Sequence, residues 1–150
     1  MKFIMKKVGI ICILLCTVWL SADTLKDISE IEKLTKISMQ YIGNDKIDKG
    51  LDVLAPYSVV SHTQFETLKK QLIAEFPKFR THFGAVVGSE FVGKTHVGDS
   101  MFQITYIQKF EKHILSWSFY YYKPKDTWVL NSFETADNME VLFKSYGEKR

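Results

Sequence analysis

Four histidines, His62, His82, His96 and His113, are the side chains of this chain best placed by type to bind a metal or move a proton near neutral pH. Their spacing supports neither role, because no two share a metal-ligand interval and no cysteine or paired carboxylate joins them. His62 falls in the first turn of a helix, His113 beside a turn, His96 on the outer face of a strand, and His82 near a rim. Nucleophilic chemistry fares no better: no Gly-x-Ser-x-Gly elbow occurs. Gly84, Gly88 and Gly93 do not form a phosphate-binding loop opening a helix. No residue therefore receives a catalytic role, and neither a metal nor a cofactor is implied.

What remains is an unusual density of rings. Ser118 to Trp128 reads SFYYYKPKDTW, five aromatic residues in eleven. It is either one flat binding platform or two strands and the corner between them.

The ends of the chain bear on this. Lys2, Lys6 and Lys7 precede an apolar run, VGIICILLCTVWL, from Val8 to Leu20, followed by Ser21-Ala22-Asp23. That order predicts a secretory signal peptide over residues 1–22, cleaved after Ala22. The run is short for a span, which takes about 20 apolar residues. The alternative is an uncleaved anchor, the one route by which this chain would meet a membrane. The expected destination is secreted or periplasmic. Three of the 20 Lys and Arg lie in the leader, so 17 basic residues then face 17 acidic ones. A near-neutral mature chain lacks the clustered basic footprint of a nucleic-acid binder. Both cysteines, Cys12 and Cys16, leave with the leader.

Residues 23–150 read as a single domain. Leu25, Ile28, Ile31, Leu34, Ile37 and Tyr41 recur at helical spacing, and the stripe predicts a helix over 24–42 ended by Gly43-Asn44. Ile47, Leu51 and Leu54 predict a second, stopped by Pro56. Ser61 and Gln64 form a capping box for a third, with Phe65, Leu68, Leu72 and Phe76 inside and Pro77 as its stop. Beyond Pro77 the period becomes two. Turns at Gly98-Asp99, Glu111-Lys112 and Lys123–Asp126 predict an antiparallel meander, with the segment around Phe83–Val87 as a further strand.

Register can be read from those turns. The Glu111-Lys112 turn sets Tyr106 opposite Trp117, Ile104 opposite Phe119 and Phe102 opposite Tyr121. A corner centred on Pro124-Lys125 sets Tyr121 opposite Trp128, Phe119 opposite Leu130 and Trp117 opposite Ser132. The rings of SFYYYKPKDTW then divide between faces. The expected class is α+β, with three N-terminal helices packed on a curved antiparallel sheet.

That order of elements, with Gly43–Gly50 at the second helix, Ser61-His62-Thr63-Gln64-Phe65 opening the third and Gly84 after it, resembles the nuclear-transport-factor-two-like, or cystatin-like, cone fold. Val97-Gly98-Asp99 and Tyr122–Trp128 are similar to landmarks of small exported bacterial proteins with that fold. The resemblance implies a cone whose interior holds a small apolar ligand or, in enzymes of isomerase and hydratase type, an active site, and a sheet through which dimers form. Fold alone does not transfer an activity.

The inner face offers Tyr106, Gln108, Trp117, Tyr121, Trp128 and Ser132, joined by Tyr41 of the first helix. These either line a pocket for a small apolar ligand or fill the core. No carboxylate lies within the inner strand bodies: Glu134 falls at the sheet's end, and Asp48 and Asp52 lie on the polar side of a helix. The outer face carries Met101, Ile107, Tyr120, Tyr122, Val129 and Phe133, an apolar patch suited to a homodimer or another protein partner unless the segment around Met139, Leu142 and Phe143 folds over it. The expected function is thus non-catalytic binding of a small apolar ligand or partner. An isomerase or hydratase using the cone, and a structural accessory of the envelope, are the alternatives.

Overall fold

A computed structural model describes residues 22–147. The expected signal peptide lies almost wholly outside the described residues. Among those described, no helix is long and apolar enough to cross a membrane.

Three helices come first: α1 (Ile28–Gly43), α2 (Ile47–Leu54) and α3 (His62–Phe83). Asp27 caps α1 by accepting from the Glu30 N–H at 2.9 Å. The stripe of α1 buries Ile31, Met39 and Ile42, with Thr35 and Ser38 between them. Gly50 of α2 fits against α1 so closely that a Cβ there would lie 2.6 Å from Ile42, and its carbonyl accepts from Ser38 at 2.7 Å. The capping box at Ser61 and Gln64 is formed as expected.

Pro77 does not end α3, which runs through it for another six residues. A proline inside a helix forfeits one hydrogen bond and crowds the preceding turn. A ladder of rings offsets that cost: Phe76 meets Phe79 at 5.5 Å, Phe79 stacks on Phe83 at 5.8 Å, and Phe83 meets Phe110 at 5.7 Å. Phe83 is therefore helix end, Gly84 and Ala85 turn the chain, and Val86 and Val87 open the strand that continues to Val97, so the segment does not form a further strand of its own.

The sheet has four antiparallel strands in the order β1 (Val86–Val97), β2 (Met101–Phe110), β3 (Ile114–Tyr122) and β4 (Val129–Ala136). The β2–β3 register is the expected one, with Tyr106 opposite Trp117 and Phe102 opposite Tyr121. The other two hairpins differ. The first turn takes three residues, Gly98 to Ser100, and an irregularity between Phe91 and Gly93 absorbs the extra one. Phe91 still opposes Tyr106, but His96 is opposite Phe102, ring to ring at 4.8 Å, and not on the outer side.

In the last hairpin Tyr121 opposes Leu130 where Trp128 was expected, and a bulge then sets Phe119 against Phe133. Trp128 is unavailable to β3 because it exchanges two hydrogen bonds with Leu25, at 2.9 and 2.7 Å. Phe133 consequently packs inward on Phe65, Trp117 and Phe119, and Ser132 opposes Tyr120 on the outer side. Both reverse the faces read from the tight corner.

A fourth α-helix, α4 (Met139–Tyr146), makes the count four among the described residues where three were expected, and it follows the sheet. The class is α+β, helices packed on a curved four-stranded antiparallel sheet. The core joins α1, α2 and α3 to the inner sheet face through Ile31, Ile42, Leu51, Phe76, Trp117 and Phe119.

Candidate functional site

Of the residues singled out by sequence for the inner face, Gln108, Trp117, Tyr121 and Trp128 are buried together, and packing accounts for them. Trp117 donates its Nε1–H to Gln108 Oε1 at 3.2 Å, and Gln108 Nε2 donates to the Ile42 carbonyl at 3.0 Å, all of it buried. The Tyr121 hydroxyl pairs with Thr35 Oγ1 at 2.8 Å, and Thr35 in turn donates to the Ile31 carbonyl. Trp128 is buried, with Lys123 Nζ 5.2 Å from its ring centre. Every fully buried side-chain polar atom among the described residues has a partner. Tyr41 stands apart, exposed on α1, and Ser132 is on the opposite face.

No Asp, Glu or His is buried among the described residues, and none of their side chains cluster in a metal-binding group. Asp52 instead accepts from Lys69 at 2.6 Å, joining α2 to α3, and Glu66 adds a second contact at 2.8 Å. These carboxylates hold the Lys69 pKa above its usual value. Glu134 accepts from the Tyr120 hydroxyl at 2.5 Å on the outer face. His82 Nδ1 meets the Lys78 carbonyl, and His113 Nε2 the Asp137 carbonyl.

An open concavity lies on the other side of the sheet. Thr95, Val97, Met101, Gln103, Tyr120 and Tyr122 border a groove of about 500 Å³, with Asn131 and Ser132 along its far wall. Val97, Met101 and Tyr122 are 57%, 50% and 42% exposed, so the bed is apolar and uncovered. Among the described residues, no charged side chain lines it. Burial first, and the hydrogen bond to Glu134 second, push the Tyr120 pKa up to about 12, so its hydroxyl stays protonated at neutral pH.

The neighbouring half of the same face is covered. The Tyr146 hydroxyl meets Thr105 Oγ1 at 3.1 Å, and Thr105 is shared with Ser118 at 3.0 Å. Gly93 makes the approach possible, since a Cβ there would stand 2.5 Å from the Tyr146 ring. Of the outer-face residues expected to meet a partner, Met101, Tyr120 and Tyr122 line the groove; Ile107 and Val129 are half-buried and do not, and Phe133 faces the core. Val97 and Thr95 were missed, because the two-residue turn put them on the wrong face. Compared with protein-family models, with the curated proteins and with the solved structures, the chain matches none of them.

Proposed function

We propose that this chain is an exported nuclear-transport-factor-two-like domain that binds without catalysing, and that its site is the outer-face groove. One observation carries the reading: an uncharged bed of Val97, Met101, Tyr120 and Tyr122 lies open, while Gln108, Trp117 and Tyr121 of the interior already have hydrogen-bond partners. Its volume falls within the range of about 300–1,000 Å³ typical of small-molecule sites. Its chemistry suits a small apolar molecule, with the Gln103 amide and the Asn131 and Ser132 side chains as the polar contacts that orient it.

Native mass spectrometry of the protein purified from its own host tests this. The expected result is a subunit carrying an apolar molecule, lost on combining Met101→Ser with Tyr122→Ser. A bare subunit sinks the proposal, and a doubled mass abolished by the same substitutions replaces the small ligand with a second copy of the chain.

A further inference from the structure

A second concavity, of about 740 Å³, opens between α1 and the β1–β2 side of the sheet. Its rim is basic and its wall aromatic. Lys33 and Lys36, one turn apart on α1, border it, and Lys94 faces them from β1. Lys94 is engaged by Glu32, whereas Lys33 and Lys36 have no ion-pair partner among the described residues. The one carboxylate lining the cleft is thus neutralised, and two ammonium groups are left over.

The wall is Phe91, 48% exposed, held edge-on to Tyr106 with centroids 5.5 Å apart at 75°. A large ring left open inside a concavity is surface that a flat ligand can cover. Tyr106 is only 8% exposed, yet its hydroxyl bonds to nothing among the described residues, unlike that of Tyr121. Burial and, second, the Glu32 carboxylate raise its pKa, so at neutral pH it is a donor awaiting an acceptor.

We propose that this cleft binds an aromatic acid bearing a second oxygen on its ring: the carboxylate on Lys33 and Lys36, the ring against Phe91, the second oxygen accepting from the Tyr106 hydroxyl. Guided by charge, the acid docks at the rim; the aromatic wall and the unpaired hydroxyl select what enters behind it.

Calorimetric titration of the full chain with 6-hydroxy-2-naphthoic acid, 2-naphthoic acid and 6-hydroxy-2-naphthamide tests each part. The hydroxy acid is expected to bind, and both its amide analogue and the Lys33→Gln/Lys36→Gln variant to lower affinity roughly tenfold, the combined effect of two exposed charge contacts. Tyr106→Phe should weaken the hydroxy acid severalfold while leaving 2-naphthoic acid unchanged, a difference that a merely structural role for Tyr106 does not produce. Equal affinity for acid and amide, or no binding at millimolar probe, overturns the proposal. So does binding that is lost in Met101→Ser/Tyr122→Ser but kept in the lysine variant, which would assign the probe to the outer groove.

Discussion

Tyr106, Tyr120 and Tyr121 all hold their protons more tightly in the folded chain than in water, chiefly through burial. An unfolded tyrosine titrates near pH 10. Each of these groups therefore contributes stability that is complete below about pH 10 and is lost as pH rises, for Tyr120 through a window ending near 12. Lys69, raised by Asp52 and Glu66, adds to the same alkaline loss. Thermal midpoints measured from pH 8 to 11.5 should fall, and Tyr120→Phe should fall less steeply than the wild type; equal slopes would remove Tyr120 from the account. Gln108 makes a separate case. Replacing it with Leu leaves the buried Trp117 N–H without an acceptor, while the Ile42 carbonyl keeps the Asp45 N–H. Urea unfolding should register a loss of about 1–3 kcal/mol.

The elements differ in how much of them local signals specify. The buried stripe of α1, the Ser61 box and the β2–β3 hairpin were legible because each is set by residues a few positions apart. Pro77 was misleading because the rings that carry α3 across it dock on Phe110, far along the chain. The last register was illegible for a like reason: Trp128 pairs with Leu25, and only that bond explains why β4 enters two residues late. With Ser132 and Phe133 exchanged, the inner set read from sequence lost one member and gained a ring. Where α3 meets the sheet, Gly84 adopts φ 86°, and a Cβ there would lie 2.4 Å from the Glu111 carboxylate that accepts from the Ala85 N–H. Gly84→Ala should cost about 1–3 kcal/mol by chemical denaturation, since strain and a displaced acceptor add. An unchanged midpoint would mean that the junction yields freely.

At the scale of the molecule, the two faces of the sheet are finished differently. Inside, α1, α2 and α3 bury most of the face and leave the Phe91 cleft open beside α1; outside, α4 covers one half and leaves Phe143 72% exposed. The attachment rests on Tyr146 over Gly93 and on the His113–Asp137 contact. Tyr146→Ala should raise hydrogen exchange across α4 without moving the exchange of α1, because the helix shares few buried contacts with the rest. If α4 stays protected, its hold lies elsewhere. The Leu25–Trp128 pair has another consequence, one of timing. A chain made from its N-terminus presents Leu25 before the helices and Trp128 only after β3, so the two cannot meet until α1, α2, α3 and the first three strands have been made. The seam that ties the segment before α1 to the last hairpin cannot close before Trp128 is made, and until then the growing chain stays unlatched there.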